Sequence, residues 1–151
     1  MFERFSGAAR VTVTEGLKEA ARRGDRRVGT DHLLLGILHD PASANAVGVG
    51  LEAARTAEEA LDREALAAVG VDPGPAPLLA SGSRAGRLPL TSAAKGALAR
   101  TVRFAAAEKS KTITGRHVLL ALLETPVPDP AATLLARLGV SADDVRARLG
   151  S

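Results

Sequence analysis

Three histidines, His32, His39 and His117, are the side chains in this sequence best suited to move a proton near neutral pH or to bind a metal ion. His32 directly follows Asp31, but adjacency along a chain does not assemble a nucleophile, a base and an orienting group around a substrate. Metal binding needs three or four converging ligands, and the chain has no Cys and no H-E-x-x-H spacing. The stretch Ser81-Gly82-Ser83-Arg84-Ala85-Gly86 is glycine-flanked, yet it is not G-x-S-x-G and follows no strand pattern. A G-x-x-x-x-G-K-[ST] loop, which would cradle nucleotide phosphates, is also missing. These residues point away from catalysis, and His32 and His117 read instead as a shared packing or capping feature.

The elements that carry them must be small and closely packed. The chain has 151 residues, 46% of them hydrophobic and 25% charged, which is the size and balance of one globular domain. There is no Trp, Tyr or Cys, one Met, and only Phe2, Phe5 and Phe104 as aromatics, so Ala, Leu and Val fill the core. Zero Cys excludes a disulfide scaffold and a thiol nucleophile and suits a reducing compartment. Glu3, Arg4 and Arg10 interrupt the N-terminus, and no apolar stretch approaches the roughly 18 residues of a membrane span. A cytoplasmic protein with no membrane association, no cofactor and a monomeric state is expected.

Charge divides unevenly. Residues 1–72 hold 9 Lys/Arg against 12 Asp/Glu, net −3, whereas residues 73–151 hold 11 against 5, net +6. The basic half raises an alternative, a small basic helical nucleic-acid-binding protein. Its charges are spaced singly along helical patterns without interleaved aromatics, which favours a solvated face.

The histidines lead to an internal repeat, because His117 lies 85 residues after His32. The same shift lays Phe5-Ser6-Gly7-Ala8-Ala9-Arg10 over Leu90-Thr91-Ser92-Ala93-Ala94-Lys95, and VGTDHLLLGIL from Val28 over ITGRHVLLALL from Ile113. Asp40-Pro41-Ala42 matches Asp129-Pro130-Ala131 at a shift of 89, the four extra residues falling around Pro126-Val127-Pro128. Phe5, Ala9, Val13 and Leu17 recur at helical spacing, as do Leu90, Ala94, Leu98 and Val102. Ser6, Thr91, Thr30, Asp40, Asp129 and the pairs Thr56/Glu59 and Ser141/Asp144 read as N-terminal caps; in the second copy Gly115 stands opposite Thr30, which moves the cap to Thr114. The expected fold is all-α: a single domain, 1–151, of eight helices arranged as two pseudo-two-fold-related four-helix repeats. Repeat one covers 1–69, a Gly/Pro/Ser-rich linker 70–89, and repeat two 90–151.

Met1-Phe2-Glu3-Arg4-Phe5-Ser6, the Val28–Gly36 motif, its copy at Ile113–Leu123 and Leu138-Gly139-Val140 together resemble the Clp N-terminal domain. That double Clp repeat heads the ClpA, ClpB and ClpC unfoldases, and the N-terminus is most similar to actinobacterial ClpC. The resemblance implies a non-catalytic module that binds clients, adaptors or other ligands of a ClpC-type unfoldase, in an adaptor, sequestering or decoy role. With no ATPase motif, the expectation is a free-standing Clp-repeat protein or the separated head of a longer chain, the Met start and 151 residues favouring the first. In some family members the Glu of each G-T-E-H motif pairs with the guanidinium of a phosphorylated arginine. The resemblance therefore implies a phosphoarginine-like site at Thr30, Asp31 and Arg4, and its loss in repeat two, where Arg116 would repel a guanidinium. It also implies a groove for protein partners or cyclic peptide antibiotics at Phe2, Val13, Leu90 and Lys95, bordered by Glu15 and Arg100.

Overall fold

The computed structural model describes residues 4–71 and 88–150; Phe2 and the Ser81–Gly86 stretch lie outside them. Eight helices occupy the described residues: α1 (Gly7–Arg22), α2 (Thr30–Ile37), α3 (Pro41–Val47), α4 (Leu51–Ala68), α5 (Ser92–Ala107), α6 (Gly115–Leu122), α7 (Pro130–Arg137) and α8 (Ala142–Arg148). No extended strand forms among them. The expected all-α architecture of two four-helix repeats is what the chain adopts.

Local chemistry starts several of these helices where it should. Ser6 Oγ accepts from Ala9 N–H at 3.0 Å and Thr91 Oγ1 from Ala94 N–H at 3.1 Å, each satisfying an amide that has no partner within its own helix. Asp40 Oδ2 does the same for Ser43 N–H at 3.0 Å, with Pro41 at the first helical position, and Ser141 Oγ accepts from Asp144 N–H at 3.3 Å. α3 ends at Gly48, whose φ of 84° is a left-handed conformation that a side chain would disfavour.

Two expected caps are corrected. α4 starts at Leu51 with Gly50 as its N-cap, so Thr56 lies inside the helix instead of ahead of it. α2 is preceded by Gly29, and Thr30 is its first residue rather than its cap. The Thr30 hydroxyl instead serves a helix of the other repeat. It donates to Asp129 Oδ2 at 3.0 Å and accepts from Ala131 N–H at 3.1 Å, so a side chain of α2 closes the first turn of α7. Asp129, the residue before α7, makes no capping bond of its own.

The repeats exchange their leading segments. Phe5 forms a parallel bridge with Ile113, and Val28 forms one with Leu90. Since 113 is 28 shifted by 85 and 90 is 5 shifted by 85, the two bridges are images of each other under exchange of the repeats. Their bonds match as well. Ser6 N–H donates to Ile113 O and Ile113 N–H to Arg4 O, both at 2.8 Å; Thr91 N–H donates to Val28 O at 3.0 Å and Val28 N–H to Pro89 O at 2.8 Å.

These bridges bring α2 and α6 to the centre, where nearly every side chain is covered. Such burial is what the apolar runs Leu33–Ile37 and Val118–Leu122 require. Leu33, Leu34, Leu35, Ile37, Leu119, Leu122, Leu98 and Leu134 form the heart of the core. α1 reaches α2 through a glycine crossing: a Cβ on Gly36 would stand 2.2 Å from Thr12 O and 2.6 Å from Gly16 N. Repeat two has Thr101 and Ala121 at the places aligned with Gly16 and Gly36, so its equivalent crossing carries side chains.

Two substitutions test this packing. Thr30→Val keeps the shape of the side chain but leaves the buried Ala131 N–H unpaired, and is expected to lower the free energy of urea unfolding by about 1–3 kcal/mol. Gly36→Ala forces a methyl into backbone atoms and is expected to cost more than Thr30→Val in the same assay, because neither helix can yield locally.

Candidate functional site

The first turns of α2 and α6 carry the motif that the sequence duplicates. In each, the histidine at the third helical position folds back on the cap. His32 Nδ1 accepts from Gly29 N–H at 2.9 Å, and His117 Nδ1 accepts from Thr114 N–H at 2.9 Å. This geometry leaves the proton on Nε2, which donates to Asp25 Oδ2 at 2.7 Å in repeat one and to Glu108 Oε1 at 2.9 Å in repeat two. Both rings are buried. The imidazole thus takes the part that glutamate plays in a capping box, and a carboxylate fixes its tautomer. That is the shared capping role expected of the pair.

Around the two histidines the charges are inverted. Position 23 aligns with 108 and position 31 with 116, and the residues are Arg23 and Asp31 in one repeat, Glu108 and Arg116 in the other. Arg116 Nη1 donates to both Glu108 oxygens, at 2.9 and 2.8 Å. Its hydrogen bonds with Arg116 and then His117 hold the Glu108 carboxyl below the usual range. Arg23, only 10% exposed, sits among four carboxylates: Asp25 at 3.1 Å, Glu58 at 3.3 Å, Asp31 at 3.8 Å, and Asp62 in direct contact. Glu58 and Asp62 come from α4; at the aligned positions α8 has Asp143, which pairs with Arg146, and Ala147.

Glu58 is the outlier of this cluster. It is 5% exposed, and its Oε2 has no hydrogen-bond partner. Burial pushes its carboxyl up to about 8, helped by Asp31 and by Asp25 and opposed by Arg23. Asp25 goes the other way: burial raises it, but the His32 hydrogen bond and Arg23 outweigh that and lower it. A separate buried carboxylate, Glu19, bonds Arg55 and His39 Nε2, the latter at 3.2 Å. Burial again raises the Glu19 carboxyl, and Arg55 and His39 together overcome it.

The residues singled out by sequence have distinct placements. Thr30 is fully buried and committed to α7, while Asp31 faces Arg23. Arg4 lies beside the segment leading into α6, its Nη2 donating to Ser110 O at 3.1 Å and its carbonyl accepting from Ile113 N–H. The three therefore engage three separate sets of partners. Of the groove residues, Val13 is buried in α1, Leu90 is half-buried in its bridge with Val28, Lys95 is exposed on α5, and Phe2 lies outside the described residues. Glu15 pairs with Lys18 and His39, and Arg100 donates to Ala121 O, so each stays within its own repeat.

Sequence reasoning missed a cavity of about 580 Å³ between the repeats, lined by residues that include Ser6, Ala42, Ser43, Thr114, Arg116 and Arg148. Its one sequence signal was Gly115 standing opposite Thr30.

Glu58 yields a signed prediction. Its folded value lies above its ordinary 4.5, so the stability it contributes is complete below 4.5 and is lost as pH rises towards 8. Glu58→Gln, neutral at every pH, removes that dependence while leaving Arg23, Asp25, Asp31, Asp62 and His32 in place. Urea unfolding at about pH 5 and about pH 8.5 should show the variant gaining on the parent at the higher pH.

Comparison with known proteins agrees with this architecture. The family model described as the Clp repeat (R) N-terminal domain matches residues 4–126 and 89–151. Among solved structures, the N-terminal domain of the caseinolytic protease associated chaperone ClpD from Arabidopsis thaliana superposes with a TM-score of 0.77 at 23% identity, covering 99% of this chain and 94% of that one. The Hsp104 N-terminal domain from Candida albicans does so with a TM-score of 0.65 at 18% identity, covering 97% and 89%. Those likenesses establish the shared fold, and the match of the family model to both halves establishes more: the chain belongs to the Clp repeat N-terminal domain family.

Proposed function

We propose that this chain is a non-catalytic docking module of a Clp system, binding protein or peptide ligands of a ClpC-type unfoldase and presenting, sequestering or competing for them. Domains of this family are the substrate- and adaptor-binding modules of Clp chaperones. Family membership along the whole chain is the observation that carries the reading. The chemistry of the duplicated motif supports it, because both nitrogens of His32 and of His117 are spent on helix caps and their carboxylate partners. Among the described residues, no helix is long and apolar enough to cross a membrane.

The basic half also fits a protein ligand better than a nucleic acid. Arg116 pairs with Glu108, Arg137 with Glu64, and Arg146 with Glu124 and Asp143, so much of its charge is answered within the chain. A polyanion gains most from arginines free to displace counterions.

Degradation of a client by a ClpC-type unfoldase and its peptidase, with this chain added in excess, tests the reading. The chain is expected to slow degradation of clients that dock through the N-terminal domain and to leave docking-independent clients unaffected; no effect on either would overturn it. A DNA or RNA mobility shift at low salt would favour the basic alternative. Calorimetric titration with free phosphoarginine and with a ClpC-directed cyclic peptide locates the ligand. Phosphoarginine binding that survives unchanged in Asp31→Ala would exclude the site at Thr30, Asp31 and Arg4.

A further inference from the structure

At one junction between the repeats a side chain closes the gap, and at the other the same place is open. Thr30 Oγ1 is fully buried between Asp129 and Ala131 N–H, locking α2 onto α7. Exchange of the repeats converts Thr30 into Gly115 and Asp129-Pro130-Ala131 into Asp40-Pro41-Ala42. Asp40, Ala42, Thr114 and Gly115 all line the cavity of about 580 Å³, which therefore lies where the second lock would be. Neither crowding nor backbone strain demands a glycine there. The nearest atom to a Cβ on Gly115 is Ser43 Oγ at 3.7 Å, an ordinary contact, and the residue is not in the left-handed region.

The charges at this opening differ from those at the closed junction. Arg116 stands where repeat one has Asp31, and Arg148 joins it from the end of α8. Arg148 Nη1 donates to Ala46 O at 2.9 Å and to Val47 O at 3.5 Å, which holds the guanidinium against the last turn of α3. Its Nε and Nη2 have no partner among the described residues, and that edge is the fork that matches a carboxylate. Arg116 is held by Leu149 O through Nε and by Glu108 through Nη1, and its Nη2 has no partner among the described residues. Asp40 is the carboxylate in the lining; its Oδ2 accepts from Ser43 N–H and Oγ–H, and among the described residues no donor reaches Oδ1. Ala8, Ala42, Ala46 and Leu149 complete an apolar floor.

We propose that this cavity binds an acidic peptide segment, whose carboxylate pairs with Arg148 and Arg116 while a peptide N–H bonds Asp40. The inference rests on the docking-module reading and names the site and ligand class within it. The volume lies in the range of pockets that enclose a ligand, roughly 300–1,000 Å³. Asp40 selects against a phosphate group, which brings more negative charge next to its carboxylate than a single peptide carboxylate does. A peptide supplies both the anion and the donor.

Binding is read by fluorescence anisotropy with a labelled, capped peptide of alternating Glu and Ala, against its Gln-for-Glu counterpart and unlabelled inorganic phosphate as competitor. The Glu peptide is expected to bind saturably and the Gln peptide to bind at least roughly tenfold more weakly. Gly115→Thr puts a hydroxyl side chain into the cavity opposite Asp40 and Ala42 and restores the missing lock, so it should melt no lower than the parent and lose binding by at least roughly tenfold. Arg148→Gln keeps a donor for the Ala46 carbonyl, removes the charge, and should weaken binding to a similar degree. Binding unchanged in both variants, or equal affinity for the Glu and Gln peptides, would overturn the proposal; so would displacement by phosphate at equimolar concentration. These outcomes are independent of client degradation: a chain that binds the peptide here but leaves every client unaffected refutes the Clp docking role and not the site.

Discussion

Four backbone hydrogen bonds that cross between the repeats set the frame for everything else in this fold. Each repeat offers the residue two before its first long helix and the residue two before its short central helix, and each takes the complementary residue from the other. The Phe5–Ile113 and Val28–Leu90 bridges are thus one contact made twice. They fix where α2 and α6 enter the core, and hence where the capping histidines, the inverted ion pairs and the two junctions fall. A chain built from Ala, Leu and Val has few large side chains with which to specify register. Directional bonds between main-chain groups supply that specificity instead.

Pseudo-symmetry of the backbone has not kept the chemistry symmetric. Arg23 and Asp31 become Glu108 and Arg116, an exchange of sign that preserves attraction within each pair while reversing what each presents to its surroundings. The long α4 then deepens the contrast by adding Glu58 and Asp62 to the first junction. Burying Glu58 there leaves one carboxyl oxygen without a hydrogen-bond partner, and the protonated form is the less costly way to hold it. The net charges of −3 and +6 in the two halves have their local counterpart at these junctions.

Much of the fold was legible because its signals are local. Ser6, Thr91, Asp40 and Ser141 cap the helices that follow them, and the 85-residue shift exposed both the repeat and the pairing of His32 with His117. Thr30 and Thr56 misled for a common physical reason: a hydroxyl residue ahead of an apolar helical run has the signature of a cap whether or not its amide partner is three residues away. The partner of Thr30 is Ala131, 101 residues on, which no window of neighbouring residues reveals. α4 escaped recognition at its true start because Gly50 carries no side chain to announce it. The inverted pairs were visible only by half, since Arg116 was noticed and Glu108 was not. A cavity is a property of what the packed chain fails to fill, and its single trace in the sequence was a glycine opposite a threonine.

The reciprocal bridges bear on where such a chain comes from. A contact that is its own image under a two-fold rotation is self-complementary, so one repeat carries everything needed to meet a second copy of itself. Two identical halves joined this way form a homodimer, and covalent fusion then replaces an encounter in dilute solution by a tethered one at high effective concentration. Fusion also releases a constraint. In a homodimer any residue change appears at both junctions at once, whereas in one polypeptide a threonine can seal one side while a glycine opens the other. The difference between residues 30 and 115 is one that a symmetric pair of identical halves could not carry.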